Sequence, residues 1–181
     1  MSLPNICTVS RVPLMFIIVA LLYAEWTGSA SLTFVLFVVA GVTDFLDGYL
    51  ARKWNQVSNF GILMDAVTDK VLLLGLMIAL VDLDRIPLLH EPLPLFLVLL
   101  IMGREFLITG IRLVAASKGV VVSADKGGKQ KTVTQILAVG SLLLGQVVDY
   151  AGLVLFVVAT VFTLSSGVRY FRRYSQLVFT N

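Results

Sequence analysis

Long apolar segments recur along this chain, separated only by short polar stretches, and they restrict the folds that it can adopt. A helix crosses the apolar core of a bilayer with about 20 residues, and these segments approach that length. Hydrophobic residues make up 58% of the 181 residues and charged residues only 14%, whereas a soluble domain is about one quarter charged. We therefore predict an all-α integral membrane protein with a single domain, residues 1–181, and six transmembrane helices. The predicted spans cover about residues 12–26, 32–51, 60–81, 95–116, 133–148 and 150–164.

Basic residues fall at alternate ends of the successive spans and predict the orientation. One side carries Arg11, Arg52 and the basic residues of 118–131 and 169–173. The other side carries Arg85 alongside several acids. Because cytoplasmic ends of spans are enriched in lysine and arginine, we predict that both termini face the cytoplasm. The expected partners of such a surface are membrane lipids, and no nucleic-acid partner is expected.

Four aspartates interrupt the apolar sequence between residues 44 and 69. Asp44 and Asp47 share a face near the end of the second span, and Asp65 and Asp69 share a face near the start of the third. The two helices are antiparallel neighbours, so both pairs should lie at a similar depth near the cytoplasmic side. Ionised carboxylates are costly in apolar surroundings unless a cation neutralises them. Because hard divalent cations prefer oxygen ligands, the aspartates predict a site for two Mg²⁺ or Mn²⁺ ions. The alternative is that Asp47 or Asp69 is a structural partner of Arg52 or Lys70.

Small and basic residues around these aspartates predict room for a phosphorylated ligand. Gly48, Ala51 and Gly61 lie on the carboxylate faces and leave space near the backbone. Arg52 can reach phosphate oxygens with its guanidinium group, and Ser58 begins the next helix, whose amide groups favour anions. The alternative is that the small residues only permit close packing of helices.

The spacing of these residues resembles the signature of the CDP-alcohol phosphotransferase family. The matching elements are Asp44-x2-Asp47-Gly48-x2-Ala51-Arg52-x8-Gly61-x3-Asp65-x3-Asp69. Asn5, Thr8 and Arg11 also resemble an N-terminal Asn-x2-Thr-x2-Arg element of many members. By overall similarity rather than by a strict signature, residues 103–135 resemble the bacterial phosphatidylglycerophosphate synthase branch of the family.

The resemblance implies the six-helix fold of that family, usually as a homodimer, with a cavity open to the cytoplasm and the inner leaflet. It implies a multi-pass enzyme of the bacterial inner (cytoplasmic) membrane, with its active site facing the cytoplasm. Such enzymes move a phosphatidyl group from CDP-diacylglycerol to an alcohol and release CMP. In the synthase branch the alcohol is sn-glycerol 3-phosphate, and the product, phosphatidylglycerophosphate, leads to phosphatidylglycerol and cardiolipin.

The resemblance also implies roles for individual residues. The four aspartates would hold two divalent ions, and Asp69 would in addition accept the proton of the attacking hydroxyl group. The residues implied to contact CDP-diacylglycerol are Thr8, Gly48, Ala51, Arg52, Ser58 and Gly61.

The acceptor site should be basic, because glycerol 3-phosphate is a dianion. Within the resemblance we expect Arg112, Lys129 and Lys131 to bind its phosphate, with Lys118 and Lys126 as further candidates. The alternative is that these basic residues serve orientation and contact anionic headgroups. Arg112 fits that alternative less well, because it lies within an apolar span.

Other charged residues receive no assigned part in the site. Arg104 and Glu105 lie deep in the fourth span, where charges should be paired and face the interior of the bundle, and a structural role is favoured over acceptor binding. Helix geometry predicts that Lys70 points away from the face that carries Asp69. His90 is expected at the surface.

Two other functions compete with the glycerol 3-phosphate reaction. One is a different member of the same family that makes an inositol phosphate, serine or choline lipid, and the basic cluster favours a phosphorylated acceptor over the last two. The other is a divalent-cation transporter, because intramembrane aspartates also line ion paths. Against transport, all four aspartates lie toward one side of the membrane.

Overall fold

The computed structural model describes residues 3–24, 26–53, 59–90, 92–118, 126–145 and 149–179. Within the helices, only the backbone is described for residues 3–8, 47–48, 50–52, 59–63, 65–66, 126–129, 149 and 175–179.

Six α-helices lie in the part of the chain that the structure describes, and they follow the order of the apolar segments. They are α1 (Leu3–Leu22), α2 (Ser29–Lys53), α3 (Asn59–Asp82), α4 (Leu93–Ser117), α5 (Lys126–Leu144) and α6 (Asp149–Phe179). The prediction of an all-α fold is confirmed over these residues.

Two helices extend well beyond the apolar segments that predicted them. Helix α5 begins at Lys126 rather than at Val133, and α6 runs to Phe179 rather than ending near Leu164. Hydropathy detects where apolar sequence stops, whereas a helix continues through lysine, arginine and glutamine, which are good helix formers. The lysines before the fifth span therefore belong to a helix and not to a loop.

Helix α1 is shorter than predicted at its end, because it stops at Leu22 and not at Trp26. The turn that follows contains Gly28 with a φ of +111°, a conformation open mainly to glycine. Just before it, the hydroxyl group of Tyr23 donates a 2.6 Å hydrogen bond to Asp82 at the end of α3. The ends of α1 and α3 therefore lie side by side.

Three helices of the described chain are long and apolar enough to cross a membrane by length and composition: α2 over Ser29–Leu46, α4 over Leu93–Ser117 and α6 over Tyr150–Tyr174. Helix α1 adds a shorter apolar stretch, Val9–Leu22. Helices α3 and α5 carry the aspartates and lysines discussed above, which interrupt their apolar sequence. The six-span topology and the cytoplasmic termini remain predictions.

The main hydrophobic core fills one end of the helix bundle. It includes Ile18 of α1, Leu80 of α3, Ile101 of α4, Leu142 of α5 and Phe156 of α6, all buried. These residues lie toward the end where α1, α3 and α5 finish and where α4 and α6 begin. The apolar core thus closes that end and leaves the opposite half of the bundle for polar groups.

The helices of the bundle pack in two groups. Helix α1 packs on α2 and α3, whereas α4 and α5 both pack on α6 and hardly touch each other. A second, smaller apolar cluster joins α4 to α6 through Ile108, Ile111 and Tyr170. Between the two clusters lie buried polar side chains, including Glu105, Gln135 and Ser166. Because α4 and α5 stand apart, a cavity opens between them.

Candidate active site

Asp44 of α2 is held by an arginine from α1. The Arg11 guanidinium nitrogen Nη1 lies 2.5 Å from Asp44 Oδ1, and the Arg11 side chain is only 2% exposed, whereas Asp44 is 44% exposed. A buried guanidinium is costly unless it is paired, and Asp44 supplies a negative charge beside it. The open side of Asp44 faces a cavity.

That cavity, here called the apolar cavity, has a volume of about 450 Å³ and lies between α2, α3 and α5. Asp44 and Asp69 both line it, and Arg11 stands behind Asp44. The rest of the wall is mostly aliphatic and aromatic: Phe37, Val38, Ala40, Gly41, Val42, Phe45, Leu46, Leu72, Leu73, Thr132 and Ile136. A wall with two carboxylates at one place and hydrocarbon elsewhere suits an amphiphilic ligand.

A second cavity, here called the basic cavity, has a volume of about 660 Å³ and lies where α4 and α5 stand apart. Four cationic side chains line it, and Asp69 and Glu105 are its two acids. The cations are Lys70, Arg104, Arg112 and Lys131. The excess of positive charge on this wall favours an anionic ligand.

Asp69 lines both cavities. Its side chain is 44% exposed, and its Oδ1 accepts hydrogen bonds from the backbone nitrogen of Lys70, at 2.7 Å, and from Lys70 Nζ, at 3.2 Å. The expectation that Lys70 points away from the face of Asp69 is wrong, and Lys70 also lines the basic cavity. Helix geometry fixes the direction of Cα–Cβ, but the four-carbon stem of a lysine can bend back toward its neighbour.

Glu105 connects two cations in the wall of the basic cavity. Its Oε1 accepts hydrogen bonds from Lys131 Nζ and from Arg104 Nη1, the latter at 3.1 Å. Arg104 Nη2 donates a 2.7 Å hydrogen bond to Ser166 of α6. The expectation that Arg104 and Glu105 are paired inside the bundle is therefore confirmed, and the pair also faces the cavity.

Gly167 gives Arg104 the space to reach this position. A Cβ atom at residue 167 would lie 2.6 Å from Arg104 Cγ and 3.1 Å from its Nε. Further along α4, Arg112 Nε donates a 3.1 Å hydrogen bond to the hydroxyl group of Tyr170, and its guanidinium lies 5.9 Å from the centre of that ring. Helix α6 thus supports both arginines of α4.

Four predicted site residues line the cavities. Asp44 lines the apolar cavity, Arg112 and Lys131 line the basic cavity, and Asp69 lines both. Lys118 is exposed just beyond α4 and is not part of either wall. The other predicted residues fall outside the described side chains. They are Thr8, Asp47, Gly48, Ala51, Arg52, Gly61, Asp65, Lys126 and Lys129, which lie on α1, α2, α3 and α5, and Ser58, which lies outside the described residues altogether.

Sequence reasoning missed five polar residues of the basic cavity: Lys70, Thr109, Thr132, Ser166 and Tyr170. Ser166 and Tyr170 are four residues apart on α6 and so share one face of that helix. That spacing was a usable signal, although nothing in it shows which neighbouring helix the face meets.

The described side chains contain no group of three His, Cys, Asp or Glu residues that could hold a metal ion. They include two of the four predicted aspartates, Asp44 and Asp69, which share the apolar cavity. Carboxylate oxygens are the donors that Mg²⁺ and Mn²⁺ prefer, so this pair fits a divalent ion. Helices α2 and α3 also carry Asp47 and Asp65 within one turn of the pair.

Comparison with known proteins identifies the family. Residues 1–165 match the profile of the family described as CDP-alcohol phosphatidyltransferase. A Bacillus subtilis protein named CDP-diacylglycerol–glycerol-3-phosphate 3-phosphatidyltransferase is 39% identical, covering 95% of this chain and 94% of its own. Proteins of the same name from Rickettsia typhi and Haemophilus influenzae are 34% and 32% identical, covering 94% and 93% of this chain and 96% and 91% of their own. The chain therefore belongs to the CDP-alcohol phosphatidyltransferase family, whose members generally use divalent cations.

Proposed function

We propose that this protein transfers the phosphatidyl group of CDP-diacylglycerol to sn-glycerol 3-phosphate, giving phosphatidylglycerophosphate and CMP. The observation that carries the proposal is the position of Asp69 on the walls of both cavities. One cavity suits a lipid with a charged head, and the other suits a small anion. The relatives are named for the transfer of a phosphatidyl group from CDP-diacylglycerol to glycerol 3-phosphate, which supports the proposal. The proposed product leads to phosphatidylglycerol and cardiolipin.

The aspartates are the residues that would hold divalent ions at the diphosphate end of the lipid. Asp44, Asp47, Asp65 and Asp69 would supply carboxylate ligands to two ions such as Mg²⁺ or Mn²⁺, whose remaining ligands would be water and phosphate oxygens. Bound there, the ions would draw charge from the diphosphate and stabilise CMP as the leaving group. Arg11 fixes Asp44 from behind, so this carboxylate is oriented before a ligand arrives.

Asp69 is the base of the reaction in this proposal. A hydroxyl oxygen of glycerol 3-phosphate attacks the phosphorus that carries diacylglycerol, its proton passes to a carboxylate oxygen of Asp69, and the bond from that phosphorus to CMP breaks. A base must lie within hydrogen-bond reach of the proton that it removes. Asp69 meets this condition for an acceptor in the basic cavity, because its side chain forms part of that wall.

The cations of the basic cavity bind the phosphate of the acceptor. Arg104, Arg112 and Lys131 approach from α4 and α5, and Lys70 lies beside Asp69. Guanidinium groups match phosphate oxygens with paired hydrogen bonds, and lysine adds a compact charge. Lys129, Lys126 and Lys118 extend this basic region along α5 and beyond α4. Gly48, Ala51, Arg52, Ser58 and Gly61, with Thr8, contact the CDP part.

The proposed setting is a bacterial inner membrane crossed by six helices, with both termini and the active site on the cytoplasmic side and the enzyme as a homodimer. Three apolar helices and the membership of this family support a membrane protein. The distribution of lysine and arginine supports the orientation.

The test is to offer the purified protein CDP-diacylglycerol, Mg²⁺ and, separately, glycerol 3-phosphate, inositol phosphate, serine or choline. We expect phosphatidylglycerophosphate and an equal amount of CMP with glycerol 3-phosphate alone, identified by mass spectrometry. The Asp69→Asn variant, purified in the same way, controls for contaminating enzymes. A lipid product formed with another alcohol would show that glycerol 3-phosphate is not the only acceptor. Flux of divalent metal ions in liposomes, without release of CMP, would indicate a transporter rather than an enzyme.

A further inference from the structure

We infer that Glu105 is a positioning residue for the acceptor phosphate: it holds Lys131 and Arg104 at one place in the basic cavity. The inference rests on the proposed function, since it concerns the same cavity. The Glu105 side chain is only 5% exposed, yet it lines the wall of the basic cavity. Carboxylates buried within apolar helices are rare and costly, so one placed here needs a specific partner or task.

Both cations meet on a single oxygen atom of Glu105. Lys131 Nζ and Arg104 Nη1 donate to Oε1, so the two donors lie within hydrogen-bond distance of one point. Two cations that converge in this way repel each other unless an anion lies between them. In the absence of substrate, the Glu105 carboxylate supplies that negative charge.

The Glu105–Lys131 bond also spans the space between two helices. Helices α4 and α5 hardly touch each other, and each packs on α6 instead. Glu105 belongs to α4 and Lys131 to α5, while Arg104 connects α4 to Ser166 of α6. One carboxylate therefore fixes the position of Lys131 relative to the rest of the cavity wall.

When Glu105 is neutralised, the change in net charge and the loss of positioning have opposite effects on the affinity for anions. The described wall has four cations and two acids, a net charge of +2, which matches a phosphate dianion. Replacing Glu105 with glutamine raises the net charge to +3, so electrostatic attraction alone would strengthen the binding of anions. If Glu105 positions the cations, the same change weakens binding, because Lys131 regains the rotamer freedom of a long side chain.

The experiment measures binding of glycerol 3-phosphate to the full-length protein in detergent by calorimetry, beside steady-state kinetics with both substrates. For Glu105→Gln we expect binding weakened by about tenfold, with KM for glycerol 3-phosphate raised to match. We expect kcat and KM for CDP-diacylglycerol to stay within about twofold, since Asp44 and Asp69 keep their own partners. Glu105→Asp should recover part of the loss. Tyr23→Phe, at the opposite end of the bundle, is the control and should bind as the wild type does.

A double-mutant cycle shows whether Glu105 acts through Lys131. The Glu105→Gln/Lys131→Gln double variant should lose less binding of glycerol 3-phosphate than the sum of the two single losses, because only the contact of Glu105 with Arg104 is left to remove. Unchanged or tighter binding by Glu105→Gln, or fully additive losses in the cycle, would overturn the inference. If Glu105→Gln fails to fold, Glu105→Asp and Lys131→Gln test the inference instead. A purely structural role of Glu105 would lower stability without a selective change in KM for glycerol 3-phosphate.

The binding measurement distinguishes a failure of this inference from a failure of the proposed function. If the wild type forms no phosphatidylglycerophosphate but binds glycerol 3-phosphate more tightly than Glu105→Gln does, the function fails and the inference stands. If product forms and Glu105→Gln binds as well as the wild type, the inference fails alone. If the wild type neither binds glycerol 3-phosphate nor forms phosphatidylglycerophosphate, both are wrong.

Discussion

Arg11 and Asp44 form an ion pair of 2.5 Å between α1 and α2, with the arginine almost wholly buried and the aspartate partly open to a cavity. The pair joins the N-terminal helix to the first aspartate of the family signature. A side chain outside the signature stretch therefore fixes one of the oxygens proposed to hold a divalent ion.

Replacing Arg11 with methionine should damage both stability and activity. The change leaves Asp44 without this charged partner, and we expect the free energy of unfolding to fall by about 1–3 kcal/mol, below the cost for a fully buried pair because Asp44 is partly hydrated. Thermal unfolding in detergent measures the loss, and the Mn²⁺ concentration for half-maximal activity should rise. The matched control is Arg85→Met, an exposed arginine in the turn before α4, and equal behaviour of the two variants would contradict the role of the pair.

Asp69→Asn should separate binding from turnover. The substitution keeps the size of the side chain but removes the base, so we expect release of CMP to fall by about a hundredfold or more. Binding of CDP-diacylglycerol, measured with a labelled substrate, should fall much less because Asp44, Asp47 and Asp65 remain. Turnover at the wild-type rate would exclude Asp69 as the base.

Gly167→Ala should displace Arg104. The added Cβ atom would lie 2.6 Å from Arg104 Cγ, so the arginine has to shift and its hydrogen bond to Ser166 is strained. We expect a loss of about 1–3 kcal/mol in the free energy of unfolding, together with a higher KM for glycerol 3-phosphate. Gly110→Ala on α4 is the control, because a Cβ atom there meets nothing within 4 Å, and it should be neutral or stabilising by up to about 1 kcal/mol. Similar results for the two alanines would contradict this account.

The hydrogen bond between Tyr23 and Asp82 should be visible in a pH titration. The bond to the carboxylate, with a smaller contribution from burial, raises the pKa of Tyr23. Because the folded state favours the neutral phenol, the stabilisation is present at neutral pH and is lost as the pH rises through the raised pKa. Absorbance at alkaline pH, as a difference between the wild type and Tyr23→Phe, isolates this tyrosine. Asp82→Asn should lower its midpoint, and an unchanged midpoint would show that the carboxylate does not control it.

The sequence predicted residue positions best where the geometry of a single helix determines them. Asp65 and Asp69 share a face because the α-helix has 3.6 residues per turn, and the placement of Asp44 and Asp69 on one cavity agrees with two antiparallel helices joined by a short turn. It failed where a long side chain decides, as at Lys70, and where polar helical sequence continues an apolar span, as at Lys126. The meeting of Arg104 with Ser166 depends on how α4 and α6 are rotated against each other, and hydropathy carries no information on that rotation.

The apolar core around Leu80, Ile101 and Phe156 closes the far end of the bundle. Both cavities that Asp69 lines lie in the other half of the bundle, so we expect ligands to enter and leave there. If the proposed reaction takes place there, the product lipid is expected to leave from the same half of the bundle at which CDP-diacylglycerol entered.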